Sequence, residues 1–194
     1  PPPRGRWLAP ALVREIEAAQ ALSDVRPNLI VFHCTANSME KGLAHEAAII
    51  DIVEQASGCQ TISTAQAITQ AFDQLGIKKL VLISPYVKAT NEHEVHYLSE
   101  AGYTVIHELG LGLESHAYVK VTPEEWKKVV KENARNDADG YFLSCTNTRM
   151  IEAIDDLERD LGKPVVNSNQ AVLWTCLNRL GIRHNGEKLG RLFQ

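Results

Sequence analysis

Two thiols stand in the same local setting at distant points of the chain. Cys34 ends an apolar run in LIVFHCTANSM (29–39), and Cys145 ends another in GYFLSCTNTRM (140–150). Each is followed by a threonine, a polar loop containing asparagine, and a methionine. A cysteine between a strand end and a helix start faces unpaired backbone N–H donors and the positive end of a helix dipole. Both favour the thiolate, the nucleophilic and basic form of a group whose free pKa is about 8.5. The same N–H groups, with the hydroxyls of Thr35 and Thr146 and with Asn147 beside the second thiol, suit a carboxylate or enolate oxygen. Two such corners facing each other would grip a small carboxylic acid, one thiol attacking or deprotonating while the other supplies a proton. A buried free cysteine is commonly no more than a small hydrophobe. That reading is accepted for Cys59, which opens a short strand, and for Cys176, which lies on an apolar helix. The matched pair is what points to catalysis.

The elements that must position these thiols follow from the hydrophobic pattern. Apolar runs of strand length alternate with segments of helical period, which predicts a parallel sheet with crossover helices. The strands are expected at Asn28–His33, Gln60–Ile62, Lys79–Ser84, Thr104–Glu108, Gly140–Ser144 and Pro164–Asn167. Several are apolar on both faces, as buried parallel strands are. Thr122-Pro123-Glu124-Glu125 signals a helix start with a capping box. Ala67, Ile68, Ala71, Phe72 and Leu75 share a face before Gly76, and Met150, Ile151, Ile154, Leu157 and Leu161 share one before Gly162. His45 to Ala56 and Asn169 to Leu180 complete the helices. The expected fold class is α/β, with two pseudo-symmetric Rossmann-like parallel-sheet halves and the site in the cleft between them, at the carboxyl ends of the strands. Residues 1–76 plus 168–194 are assigned to the first half and 77–167 to the second.

Composition narrows the function classes. The 194 residues, 44% hydrophobic and 23% charged, suit a globular chain with a sizeable core. Lys+Arg 20 against Asp+Glu 24 gives a net charge of −4, with no basic stripe of the kind nucleic acid needs. No apolar run approaches a membrane span, and PPPRGRWLAP lacks a signal-peptide core. A cytoplasmic location is therefore expected, where thiols stay reduced. No two of the four cysteines stand in CxxC spacing, so neither zinc nor a thioredoxin-like site is expected.

With these residues in view, a resemblance emerges. The paired Cys-Thr corners resemble the aspartate/glutamate racemase superfamily, which carries two cysteines at equivalent strand ends of two pseudo-symmetric domains. SPYVKATNEH (84–93), LERDLGKPVVNSNQAVLW (157–174) and GRLF (190–193) resemble, more narrowly, its maleate cis–trans isomerase and arylmalonate decarboxylase branch. The resemblance places Cys34 at the first catalytic position and Cys145 at the second. It makes Tyr86 the hydrogen-bond donor to a substrate carboxylate and Thr35 part of the oxyanion pocket. Ala36 departs from the decarboxylases, which look like Gly-Thr-Ser here, so only a backbone N–H is left at that position. The decarboxylases also resemble one another in keeping a glycine where Cys34 stands. Two cysteines imply the isomerase and racemase side of the branch.

The expected activity is therefore a cofactor-independent isomerisation of a small mono- or dicarboxylate, similar to that of maleate isomerase. Racemisation of an amino acid or hydantoin-type acid, decarboxylation of an arylmalonate, and a non-catalytic carboxylate-binding module are the alternatives. No metal or cofactor is expected, and assembly, as a homodimer or otherwise, stays open. Family members begin with a strand leading into a substrate loop. PPPRGRW and the poor continuation Trp7-Leu8-Ala9 do not look like that strand, so residues preceding it are expected to be missing. His93 and His96 could face one way on a helix, but a solvated helix start capped by Asn91, with Glu94 three residues on, is the expectation. His33 is read as packing or support for the site, Gly110 to Leu113 as a loop at its mouth, and Arg149, the nearest cation to Cys145 in sequence, as a solvated surface cation with steering of an anion as the alternative.

Overall fold

A computed structural model describes residues 10–184, 186 and 188–194 of the chain. The PPPRGRW and Trp7-Leu8-Ala9 readings lie outside the described residues. Helices and strands alternate: α1 (Pro10–Ser23), β1 (Ile30–Phe32), α2 (Thr35–Met39), α3 (Gly42–Ser57), β2 (Thr61–Ser63), α4 (Thr64–Leu75) and β3 (Lys79–Ser84). There follow α5 (Lys88–Glu100), β4 (Thr104–Gly110), a 3-10 turn at Ser115–Lys120, α6 (Pro123–Glu132), β5 (Gly140–Leu143) and a second 3-10 turn at Met150–Ala153. The chain ends in α7 (Ile154–Leu161), β6 (Val165–Asn167), α8 (Ser168–Arg179) and a 3-10 turn at Arg191–Phe193.

The strand pairs are all parallel. β1 and β2 form a two-stranded sheet, and the other four strands lie in the order β4-β3-β5-β6. Strand residues alternate between faces, and here both faces are buried. Leu80 and Leu82 of β3 and Phe142 of β5 join the core with Phe72, Tyr97 and Val172. Val81, Ile83, Tyr141 and Leu143 join the opposite core with Trp126, Leu157 and Val165. The doubly apolar runs predicted as buried strands are buried strands. Among the described residues, no helix is long and apolar enough to cross a membrane.

Local signals account for many element ends. Thr122 and Glu125 form the capping box of α6, a feature worth about 1 kcal/mol. Gly58, Gly76 and Gly162 close α3, α4 and α7 in the left-handed conformation. Three expectations need correction. α1 lies where no helix was read, its buried side resting on small residues such as Ala19. α5 begins at Lys88 rather than Asn91, so Asn91 and Glu94 lie within it, both buried. No helix follows Cys145 directly: bends lead to the 3-10 turn at Met150, and α7 starts only at Ile154.

Candidate active site

The four-stranded sheet delivers the Cys145 corner. Ser144, just past β5, donates its N–H to the Ile83 carbonyl at 2.9 Å. Asn167 at the end of β6 donates from its side chain to the Leu143 carbonyl at 2.8 Å. Cys145 then turns with φ 137, a region costly for a residue bearing Cβ and characteristic of functional positions. The surroundings hold that turn in place. The Cys145 N–H donates to Ser168 Oγ at 3.2 Å, Thr148 Oγ1 donates to the Cys145 carbonyl at 3.5 Å, and Asn169 Nδ2 donates to the Thr146 carbonyl at 3.0 Å. The thiol is 3% exposed and accepts the Asn147 N–H at 3.3 Å. Burial pushes its pKa up, the Tyr86 hydroxyl and the Asn147 N–H pull it down, and Glu94 and Cys34 add upward pressure. The expected helix-start stabilisation of a thiolate thus fails at Cys145, because no helix starts there. The corner favours a protonated thiol.

The Cys34 corner is built differently. Cys34 follows β1 and is the N-cap of α2, with ordinary extended backbone at φ −155 and ψ 115. Its carbonyl accepts the Ser38 N–H at 3.0 Å, and the residue is half-buried. The first N–H groups of α2, from Thr35, Ala36 and Asn37, have no intrahelical acceptor, as at any helix start. The Thr35 side chain is fully buried, and its hydroxyl donates to Ser168 Oγ at 2.9 Å. That proton is already committed, so a contribution of Thr35 to an oxyanion would come from its backbone. Ser168 Oγ therefore accepts from both corners at once. Sequence reasoning did not single it out. The signal that could have found it is the capping box of Asn167 and Gln170, which puts Ser168 at a strand end next to the one bearing Cys145.

His33 strengthens this bridge. Its Nδ1 lies 3.0 Å from Thr64 Oγ1 and its Nε2 3.1 Å from Asn169 Oδ1, the same asparagine that holds the Thr146 carbonyl. Burial lowers the His33 pKa against the raising effect of Asn169, so the imidazole stays neutral near pH 7.

Tyr86 comes from the β3–α5 turn. Its N–H donates to Ser84 Oγ at 3.1 Å, and Ser84 Oγ donates to Asn91 Oδ1 at 2.5 Å. The chain after β4 runs alongside: Leu113 N–H donates to the Pro85 carbonyl and Gly112 N–H to the Tyr86 carbonyl, each at 2.9 Å. A Cβ at Gly110 would run into the Tyr86 carbonyl, so the glycine is required by space. The loop read as the site mouth also braces the Pro-Tyr element. Burial raises the Tyr86 pKa, and the neighbouring Glu94, Cys145 and Cys34 act in the same direction. The phenol is a neutral donor and lies beside the Cys145 thiol, each shifting the other's pKa. Tyr118, which the sequence did not flag, packs edge-on against Tyr86 with centroids 5.6 Å apart and an interplanar angle of 74°. Burial raises its phenol too, with Cys145 a further cause.

The structure thus brings together Cys34, Thr35, Tyr86, Cys145 and Asn147, with Ala36 and Thr146 on the two corners. It leaves other candidates outside. His93 and His96 are exposed on α5, His96 facing Glu100 at 3.4 Å. Among the described residues, no group of three His, Cys, Asp or Glu could hold a metal ion. Arg149 is engaged with Glu152 at 2.8 Å. Recesses lie elsewhere: about 540 Å³ beside Asp155, Glu158 and Arg191, and about 630 Å³ between α5 and β4.

The chain is similar to known proteins in sequence and in fold. A family model described as arylmalonate decarboxylase matches residues 10–193. The arylmalonate decarboxylase of Bordetella bronchiseptica is 33% identical over 168 residues, covering 82% of this chain and 68% of that protein. The maleate isomerase of Geobacillus stearothermophilus is 27% identical over 169 residues, covering 84% and 67%. Among solved structures, an arylmalonate decarboxylase matches with TM-score 0.88 at 25% identity, over 94% of this chain and 82% of that one. A cysteine-to-serine mutant of the Nocardia farcinica maleate cis-trans isomerase, with a covalently bound succinylcysteine intermediate, matches in fold with TM-score 0.87 at 19% identity, over 95% and 80%.

Proposed function

The chain belongs to the arylmalonate decarboxylase family, and from that premise we propose that it is a cofactor-independent isomerase of a small carboxylic acid, similar to maleate isomerase. The observation that carries the proposal is the pair of thiols. Cys34 and Cys145 follow strands of the two different sheets, and Ser168 Oγ joins their corners, accepting from the Thr35 hydroxyl and from the Cys145 N–H. Their environments also divide the labour. Half-buried Cys34 suits a nucleophile, while the buried and raised Cys145 suits a proton donor.

In the proposed reaction, the Cys34 thiolate adds to one alkene carbon of maleate and forms a C–S bond. The π pair moves to the neighbouring carbon and its carboxylate, and the enolate is held by the Tyr86 hydroxyl and the N–H groups of Thr35, Ala36 and Asn147. Cys145 gives its proton to that carbon, leaving a succinyl thioether on Cys34. The former double bond rotates as a single bond. The Cys145 thiolate then takes the proton back, the double bond re-forms, the C–S bond breaks, and fumarate leaves. The intermediate named in the Nocardia farcinica structure, a succinyl group on a cysteine, is the adduct this scheme would form. The division into residues 1–76 plus 168–194 and 77–167 belongs to the proposal. In its support, β1 and β2 form one sheet, β3 to β6 another, and α8 lies against α4. A cytoplasmic location and homodimeric assembly belong to it too, to be read by cell fractionation and light scattering.

One observation favours a second reading. The Bordetella bronchiseptica relative is a decarboxylase, and decarboxylation of an arylmalonate would need only the Cys145 proton, delivered to the carbanion that loss of carbon dioxide leaves. Proton NMR in deuterated buffer separates the two. Fumarate is expected from maleate with the wild type and at least about a thousandfold more slowly with Cys34→Ala. Release of carbon dioxide from an arylmalonate, unchanged in Cys34→Ala, would replace the isomerase reading with the decarboxylase one.

A further inference from the structure

Glu94 lies on α5 with no exposed surface and takes no part in the reaction just described. Its Oε1 accepts the Ser144 hydroxyl at 2.8 Å, and its Oε2 is buried with no hydrogen-bond partner. Ser144 immediately precedes the strained Cys145. One turn earlier on the same helix, Asn91 takes the Ser84 hydroxyl, which in turn accepts the Tyr86 N–H. Residues three apart share a helix face. One face of α5 therefore grips the ends of the two adjacent strands that deliver the thiol and the phenol.

The titratable groups that act on Glu94 or feel it are Glu108 of β4, Tyr86 of the β3–α5 turn and Cys145 after β5. None of them is a cation. A carboxylate buried with one hydroxyl donor and no positive partner is too costly to keep. We infer that Glu94 is a positioning residue of the site, a neutral carboxylic acid that fixes Ser144 and, through it, the Cys145 turn. Burial, first, and Glu108, last, push its pKa up to about 8, with only the Ser144 hydroxyl opposing. The site then works next to an uncharged group. Above that pH a negative charge appears beside Cys145 and Tyr86, and it raises both further.

The inference rests on the reading of Cys145 as a reactive thiol, yet its test needs no substrate and so fails separately from the isomerase proposal. Infrared spectra and Cys145 alkylation are recorded in a Cys34→Ala background for the protein that keeps Glu94, which serves as the wild-type reference, and for Glu94→Gln and Glu94→Ala. Gln keeps the volume and the acceptor for Ser144 but cannot ionise. A protonated-carboxyl band is expected in the Glu94 protein at about pH 6.5, lost on going to about pH 9.5 and absent from Glu94→Gln. The pH midpoint of Cys145 alkylation should fall in Glu94→Gln, because the charge that opposes the thiolate is gone. At pH 7 the Gln variant should react within about threefold of the wild type, whereas loss of the Ser144 anchor in Glu94→Ala should change the rate at least about tenfold. No carboxyl band at about pH 6.5, or an unshifted midpoint in Glu94→Gln, would overturn the inference. So would a Glu94→Ala protein that reacts at the wild-type rate. If Glu94→Ala fails to fold, the band and the Gln midpoint still decide.

Discussion

The two cysteine corners share a sequence pattern and little of their geometry. Cys34 caps a five-residue helix with relaxed extended backbone and a half-buried side chain. Cys145 sits on a turn at φ 137, buried, hydrogen-bonded and followed by bends. Repetition of a motif sets where a thiol is delivered, while the chain after it sets which proton state the thiol keeps. One corner leaves its thiol partly open, and the other closes around it. The strain at Cys145 is held by partners from β5, β6 and α8, so the least favourable backbone of the site is also its most constrained.

Tyr86→Phe gives the largest test of this contrast short of removing a thiol. It deletes the neutral donor beside Cys145, and turnover of maleate should fall about 10²- to 10³-fold with the fold intact by circular dichroism. A change of less than about threefold would show that the phenol touches Cys145 and nothing that reacts. Alkylation with iodoacetamide, followed by peptide mass mapping, sharpens the difference between the thiols. Cys34 should be modified first at pH 7. Because burial pushes the Cys145 pKa up from a thiol's ordinary value, the thiolate fraction and hence the rate at Cys145 should still be climbing at a pH where a free thiol has levelled off. Equal rates at the two thiols would erase the assigned division of labour. Ser168→Ala has the smallest effect expected, since it removes one shared acceptor. Denaturant unfolding should show a loss of about 1–3 kcal/mol together with faster alkylation of Cys145. Unchanged stability would mean that Ser168 does not tie the corners together.

Much of this architecture was legible in the residues. β3 occupies the span its apolar run predicted, the glycines at 76 and 162 end their helices, and Thr122 with Glu125 builds the expected box. These features are local, and local chemistry decides them. The misreadings sit around the site. Asn91 and Glu94 have the spacing of a helix cap but are used inside α5, where each holds a strand-end serine. Met150 has helical spacing with α7, yet the segment before it is spent on the Cys145 turn. The thiols could be named because their type carries chemistry in a matched setting, and Tyr86 through the family resemblance. Ser168 had only the indirect signal of the Asn167 and Gln170 capping box, and Tyr118 had none, because its role exists only once the 3-10 turn at Ser115–Lys120 packs against Tyr86. Polar residues that break local rules near a site are the ones worth re-examining for function.

The central claim is that Cys34 bonds to the substrate while Cys145 holds the proton. The most direct measurement is intact and peptide mass spectrometry of Cys145→Ser after incubation with maleate, compared with Cys34→Ala. The account predicts a one-dicarboxylate adduct on the Cys34 peptide of Cys145→Ser and none in Cys34→Ala. An adduct on Cys145 in the Cys34→Ala protein, or turnover by Cys34→Ala at the wild-type rate, would contradict it.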